Sequence, residues 1–558
     1  MLSKLSSTDY VIFMLYFVIV SMYGYWIYRK KRGIENTASE FFLAEGSLTW
    51  WAIGASLIAS NISSEQIVGM SGSGFAMGLA IASYEWMAAA TLLVVAIFFL
   101  PIYLKNKIYT MPQFLTQRYN GTVAMVMAVF WLLVFVFVNL TSILHLGANT
   151  ISTMTGFDYT FCIYGLAVFA IFITLGGMKV IGYTDVIQVL VLIIGGSVAT
   201  WLALSKVATM GGMSGAFDGL SVLREQAGDH FHLIFQKGQM MMPDGKGGTE
   251  DAYSKLPGLA VLIGAMWIAN LSYWGCNQYI TQRALGANLK TARAGLLFAA
   301  FLKLFMPAIV VVPGIAIYLL HKNGDPEIVA GMSQTITSMV NGVSVQTSVV
   351  KPDNAYSSVI SMLPSGAVGL VFAALVAAIV ASLAGKANSI ATIFALDIFK
   401  KIKPVSSEAQ LVSAGRYTIL ISMFVAVLVA PALKSFGQVF QFIQDFSGLI
   451  SPGVLAIFLM GFFWRGNTAN AALAAAIATI PLGIAIEKFL PGTPFMNRMG
   501  YVFVVLMVLQ WLVSMIDPAR GKAKGIEIDT KDFRVEGPFA VGCLIVTGVL
   551  AAFYTIFW

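Results

Sequence analysis

The chain has 558 residues, of which 58% are hydrophobic and only 11% charged, with a formal net charge of +8 and a mean hydropathy of +0.81. A soluble globular protein carries about 25% charged residues, so this composition excludes water as the main solvent. Nor does the positive charge mark a nucleic-acid surface, because the Lys and Arg residues fall in alternate short loops between apolar runs, the positive-inside pattern.

A hydrocarbon core about 30 Å thick is crossed by roughly 20 apolar residues in a helix, and about fourteen runs of that kind follow one another, which predicts an all-α membrane protein. They occupy residues 10–28, 50–73, 79–104, 123–151, 159–175, 186–204 and 259–279, then 294–320, 366–396, 417–432, 439–463, 471–486, 501–516 and 539–557. Basic clusters follow the first span (Arg29, Lys30, Lys31, Arg32), the third (Lys105, Lys107, Arg118), the seventh (Arg283, Lys290, Arg293) and the ninth (Lys400, Lys401, Lys403). Another, from Arg520 to Arg534, precedes the last. All these loops lie on one side of the bilayer, which predicts both termini on the non-cytoplasmic face. The first span has only Lys4 before it and a basic cluster after it, so it reads as a retained helix and not as a signal peptide.

The second span is crowded with polar and small residues, from Gly54 through Ser60, Asn61, Ser63, Ser64, Glu65 and Gln66 to Gly74. Such a stretch is predicted to open its backbone inside the membrane, where freed carbonyl and amide groups need protein, water or a ligand as partners. Helix packing through small residues is the bland alternative. The seventh span repeats the pattern in Asn270, Ser272, Tyr273, Trp274, Gly275, Asn277 and Gln278. Five spans separate the two, the offset of a five-helix inverted repeat with interrupted helices.

Glu85 and Lys303 stand alone as charges within two spans. A charge at mid-membrane costs at least ~2.5 kcal/mol and normally faces a cavity or a partner. An ion pair that only joins helices would satisfy them; so would a polyhydroxylated solute. Such a solute needs groups that donate and accept, here Gln66, Glu85, Asn270 and Lys303, with Tyr84, Tyr273 and Trp274 as aromatic floor. In the ninth span a hydroxyl at Ser382, joined by carbonyls of an opened helix, suits a hard cation such as Na⁺, which prefers oxygen ligands.

Two long polar stretches, 206–258 and 321–364, are predicted to cap the non-cytoplasmic face with short amphipathic helices. His230 and His232 in the first are read as solvated loop residues, and Cys162, Cys276 and Cys543 as small core residues.

Three stretches carry a family resemblance: 41–66 (FFLAEGSLTWWAIGASLIASNISSEQ), 270–283 (NLSYWGCNQYITQR), and 440–445 (FQFIQD) leading to GFFW at 461–464. With them the chain resembles the sodium/solute symporter family, above all its bacterial sugar-carrying members, over nearly its whole length. The resemblance implies a five-plus-five inverted-repeat core: a peripheral helix at 1–33, a first repeat at 34–206, a loop at 207–258, a second repeat at 259–465 with the loop 321–364, and three peripheral helices at 466–558. It implies sugar contacts from Gln66, Glu85, Asn270 and Lys303, an inner ring from Tyr273, an outer wall from Gln444 and Phe440, and lining from Met70. It places sodium, the coupling ion and only cofactor expected, among carbonyls of Ala59, Ile62 and Ala378 and the hydroxyl of Ser382, and puts Asp185 on the ion's cytoplasmic exit route.

The expected activity is symport of a monosaccharide such as galactose or glucose, with Asn61 and Gln66 poised for the sugar, and no enzymatic chemistry. Its partners are the sugar, sodium and the bilayer, with neither nucleic acid nor an obligate protein partner. The expected location is the plasma membrane of a bacterium. Another polyol or a sialic-acid-like solute, proton coupling, or a sensor without net transport are the alternatives. Three departures from the family pattern bear on them. Ala381 stands where a second serine hydroxyl is common, Ala88 replaces a serine at the sugar, and Lys386 lies one turn after Ser382. Lys386 is expected either to pair with Asp185 and compete with the departing ion or to reach toward the cytoplasmic surface.

Overall fold

The computed structural model describes the chain except for residues 1–4, 30–40, 43–47, 64, 245–246, 341–342 and 436–438. For residues 28, 334–340, 343–347, 434–435, 439–442 and 445 it describes the backbone alone. The apolar runs fold as helices whose outward faces remain apolar: Phe161, Val168, Ile263 and Leu544 are 65–73% exposed. A helix satisfies its own backbone groups, so this surface fits lipid and not water. Among the described residues eleven helices are long and apolar enough to cross a membrane, making this an all-helical, multi-pass membrane protein.

In chain order the elements that position the site begin with α1 (Ser7–Arg29), α2 (Trp50–Asn61), α3 (Met70–Met77), α4 (Ser83–Val94), α5 (Tyr159–Thr174) and α6 (Gly177–Met210). They continue with α7 (Met266–Gly275), α8 (Gln278–Leu285), α9 (Leu289–Val310), α10 (Val312–Lys322), α11 (Ala367–Thr392), α12 (Val439–Phe463) and α13 (Gly537–Ile556). The second expected span is broken: α2 stops where Ile62 turns extended (φ −81°, ψ 100°), and the chain resumes through a wide turn at Glu65–Gly69 into α3. Asn and Ser favour such ends because their side chains compete for backbone groups. The seventh is broken as well, with Asn277 extended (φ −108°, ψ 122°) and its side chain accepting the Tyr279 N–H to cap α8. These breaks, and a fifth helix of only 16 residues, are why three expected spans fall short of full crossing length.

α2 and α9 touch through glycine. A Cβ at Gly54 would lie 2.8 Å from the Gly295 carbonyl oxygen, and one at Gly295 2.7 Å from Ile53. Two turns further along each helix, this close crossing brings Asn61 and Lys303 together. At the other end of the molecule, the Asp9 carboxylate of α1 accepts the N–H groups of Gly366 and Gly369, both at 2.8 Å. It thereby caps the helix that carries Ser382.

Both long polar stretches hold the expected short helices, Ala216–Gln226 in the first and Pro326–Met332 and Ala355–Ser361 in the second. Each also holds an unforeseen antiparallel hairpin: β1 (Met241–Pro243) with β2 (Thr249–Asp251), and β3 (Ser333–Val340) with β4 (Val343–Val350). The Trp558 carbonyl accepts from His232 Nδ1 at 2.9 Å and the Phe557 carbonyl from Leu233 N–H at 2.8 Å, so the end of α13 and the first polar stretch share a face. The opposite face gathers basic side chains. Arg293 donates to the carbonyls of Asp532 and Arg534, and Lys105 pairs with Asp532 at 2.9 Å.

His230 corrects the reading of a solvated loop histidine. It is 3% exposed, its ring lies 3.6 Å from that of Tyr318, and its Nε2 is 3.2 Å from the Phe75 carbonyl. The chain approaches so closely here that only glycine fits opposite: Gly78 has φ +68°, and a Cβ on it would sit 2.3 Å from the His230 carbonyl oxygen. Cys162 and Cys276 are buried and Cys543 is half-buried.

Candidate substrate and cation site

The two helix breaks face a cavity of about 170 Å³ lined by polar groups and by apolar and aromatic side chains. Asn61 and Gln66 enter it from the first break, Glu85 and Tyr84 from α4, Asn270, Tyr273, Trp274 and Asn277 from α7 and the second break, Lys303 from α9 and Gln444 from α12. The charges expected alone in the membrane are partners: Lys303 Nζ lies 2.6 Å from Glu85 Oε2, and both side chains are 1% exposed. Gln66 donates through Nε2 to the other carboxylate oxygen, and Lys303 donates to Asn61 Oδ1. The Asn61 amide in turn donates to the Tyr273 hydroxyl at 3.2 Å. Lys303 also stands 5.2 Å over the Trp274 ring, which packs edge-on against Tyr273. The result is one connected rim of carboxylate, ammonium, amide and phenol groups over aromatic faces, able to donate and accept at closely spaced points.

Not every expected residue takes part. Asn270 lines the cavity, but its amide is turned back to the Met266 carbonyl at 3.1 Å. Met70 is fully buried and lies off the cavity lining. The side chain of Phe440 lies outside the described residues. Ala88 is on the lining, so a hydroxyl there would have faced the cavity.

Beside the cavity, the end of α2 meets α11. Ser382 Oγ is 3.4 Å from the Ala59 carbonyl oxygen, 3.0 Å from that of Ser60 and 3.4 Å from that of Ile62. These carbonyls belong to the last turn and cap of a helix stopped inside the membrane, where no further turn supplies N–H partners and the helix dipole is negative. Ser60 Oγ is buried without a hydrogen-bond partner among the described residues. Ala378 and Ala381, both 1% exposed, lie on α11 before Ser382. Hard oxygen donors around one hydroxyl match the chemistry of a small monovalent cation. Sequence reasoning missed the Ser60 carbonyl, the nearest of the three to Ser382 Oγ, although its place between Ala59 and Ile62 was the available signal.

Below this cradle Tyr279 donates its hydroxyl to the Ser60 carbonyl, and Arg283 donates from Nε to Ser56 Oγ at 2.9 Å. Ser56 Oγ donates to Asp185 Oδ2 at 2.5 Å. Asp185 is thus held through Ser56 and Arg283. The expected pairing of Asp185 with Lys386 is absent from the described contacts. Lys386 instead lies 5.2 Å over the Tyr279 ring and interacts electrostatically with Glu65. Nor does it reach toward the cytoplasmic surface: it is 5% exposed and faces the cavity. Tyr279 and Arg283 sit inside the quoted 270–283 stretch, yet only the fold assigns them neighbours on α2.

Comparison with known proteins accords with this geometry. The model of the sodium:solute symporter family matches residues 41–479. The sodium/glucose cotransporter of Vibrio parahaemolyticus is 42% identical over 559 aligned residues, covering 99% of each chain. The human sodium/myo-inositol cotransporter 2 is 34% identical over 85% of this chain and 69% of its own length. Among solved structures, a Na⁺-coupled sialic acid symporter in a substrate-bound outward-open state superposes with a TM-score of 0.75 at 18% identity, over 92% of this chain and 98% of that one. It shares the fold. With a family match that begins ahead of the first helix break and runs beyond the second, and a relative aligned over 99% of each chain, the chain belongs to the sodium:solute symporter family and is a sodium-coupled solute symporter, not an enzyme.

Proposed function

We propose that this symporter imports a monosaccharide, glucose or galactose, with sodium as the coupling ion, and that two five-helix inverted repeats among fourteen spans rock around the paired helix breaks. The observation that carries the reading is the position of Asn61. It is the last helical residue of α2, it is bonded to Lys303 and Tyr273 in the cavity, and it lies between the carbonyls of Ala59 and Ile62 that surround Ser382. One broken helix end therefore serves both ligands.

A cation among the carbonyls of Ala59, Ile62 and Ala378 and the Ser382 hydroxyl fixes the end of α2, which holds Asn61 and Gln66 in place for sugar hydroxyls. Sugar bonded to Gln66, Glu85 and Lys303, with the Asn270 side-chain oxygen left to accept, favours closure of the wall near Gln444 and Phe440, and opening follows on the Tyr273 side. Coupling needs only that both ligands prefer the same conformations, so each raises the affinity of the other by the same factor. The reading places the protein in a bacterial plasma membrane, the termini on the outer face and the basic loops inside.

Ala88 on the lining and the inositol-carrying relatives favour a second cargo, a cyclic polyol. Uptake of radiolabelled glucose, galactose and myo-inositol into proteoliposomes decides among them, under an imposed sodium gradient and separately under a proton gradient. Sodium-driven accumulation of a hexose is the expected result. Accumulation of none of the three, or driving by protons alone, overturns the reading.

A further inference from the structure

Between the cation cradle and the sugar cavity stand two charges that the transport cycle described above does not use. Lys386 is 5% exposed on α11, one turn beyond Ser382, and lines the same cavity as Glu65. Its ammonium lies 5.2 Å over the ring of Tyr279, whose hydroxyl bonds the Ser60 carbonyl of the cradle. Glu65 opens the wide turn just beyond the α2 break. Its Oε1 is buried without a hydrogen-bond partner among the described residues, and its Oε2 has only a long contact of 3.5 Å with Ser63 Oγ. Glu85, by contrast, is saturated by Lys303 and Gln66, and Arg283 on the neighbouring helix is engaged with Ser56 and Tyr279.

We infer that Lys386 is a tethered competing cation, an affinity-setting residue whose ammonium balances Glu65 and opposes the binding of sodium at Ser382. An ion at Ser382 and the Lys386 ammonium, carried by residues one helical turn apart, repel through a medium that screens far less than water, while the carboxylate of Glu65 attracts both. With Ala381 withholding a hydroxyl ligand, the cradle already depends on the local field for its affinity. Lys386 lowers that field and Glu65 raises it. The inference rests on the sodium cradle assigned above and adds a residue that sets how tightly the cradle holds its ion.

Binding of ²²Na⁺ to the purified full-length protein tests it, in wild type, Lys386→Met, Lys386→Arg, Glu65→Gln and Ser382→Ala, each first shown to be monodisperse. Lys386→Met is expected to tighten sodium binding about fivefold or more, a change of about 1 kcal/mol. Lys386→Arg, which keeps the charge, should stay within about twofold of wild type, and Glu65→Gln should weaken binding about threefold or more. Unchanged or weaker binding in Lys386→Met overturns the inference. If that variant does not fold, Glu65→Gln decides alone, and unchanged or tighter binding there overturns it. Ser382→Ala tests the cradle separately: binding equal to wild type means that the cradle itself is misassigned, whatever Lys386 does.

Discussion

Lys303 and Glu85 meet 2.6 Å apart at 1% exposure, on helices that are far apart in sequence and are brought together beside the α2 break. An ion pair so placed does little for stability compared with an apolar pair of the same volume, but removing one member strands the other charge at a cost of about 3–5 kcal/mol. Both members line the cavity.

Glu85→Gln and Lys303→Met are therefore each expected to abolish uptake at low sugar concentration and to lower the apparent melting temperature. The double variant should regain much of the melting temperature and none of the uptake. Calorimetry in detergent beside radiolabelled uptake reads both, and uptake by the double variant at the wild-type rate would refute the site.

Removing the cradle hydroxyl separates ion from sugar. Ser382→Ala is expected to raise the sodium concentration for half-maximal uptake about tenfold or more, consistent with the loss of one charge-assisted ligand worth about 1.5–3 kcal/mol. Ser60→Ala, whose hydroxyl is the orphan beside the cradle, should give a smaller shift in the same direction. Sodium titration of uptake at fixed sugar checks the order.

The chain from Arg283 through Ser56 to Asp185 is buried throughout. Arg283→Gln leaves the Asp185 carboxylate without its compensating charge and is expected to destabilise the protein by several kcal/mol. Adding Asp185→Asn should restore part of the loss. Melting curves of the two single variants and the double variant give the coupling directly, and strictly additive effects would show that the residues do not act together.

His230 gives a dependence on pH. Burial holds its imidazole down to about 4, against an ordinary value of 6.5. Between these values the unfolded chain binds more protons than the folded one, so the stability His230 contributes is complete above about pH 6.5 and drains away as the pH falls toward 4. In the folded state the ring stays neutral, and the stack on Tyr318 intact, until the pH nears 4. Wild type is expected to lose more melting temperature between pH 7 and pH 4.5 than His230→Phe, which keeps a ring and has nothing to titrate. Equal losses would contradict this.

Much of this architecture was legible in the chain because lipid removes ambiguity: a helix must be long, apolar and internally bonded, so a departure from that rule stands out. The crowding of Asn61, Glu65 and Gln66, and of Asn270, Ser272 and Asn277, predicted two interruptions, and both are present. Glu85 and Lys303 were legible for the same reason. The partners of each polar group were not, because contacts between helices hundreds of residues apart depend on crossings such as that of Gly54 with Gly295. Lys386 shows the difference. Spacing places it one turn from Ser382, but only the path of the broken helix shows that it faces Glu65 and not Asp185. The β1–β2 hairpin was missed because three-residue strands carry no periodic signal, whereas β3–β4 was legible, with Asn341-Gly342 set between β-branched runs in which Val343, Val345, Thr347 and Val349 alternate, and was overlooked. His230 was missed because its partners, Phe75 and Tyr318, come from distant helices.

The cap that Asp9 places on α11 ties the lipid-facing first helix to the helix that bears Ser382. α1 turns an apolar face outward, with Val11, Met14, Leu15 and Met22 each more than half exposed, and a span whose length mismatches the bilayer is pressed to tilt. It is joined to the helix bearing Ser382 through Gly366 and Gly369 and again by the rings of Phe13 and Phe372, 4.8 Å apart. Sodium affinity measured in thin and thick synthetic bilayers should differ more for wild type than for Asp9→Ala, which loses the two hydrogen bonds and keeps the ring contact.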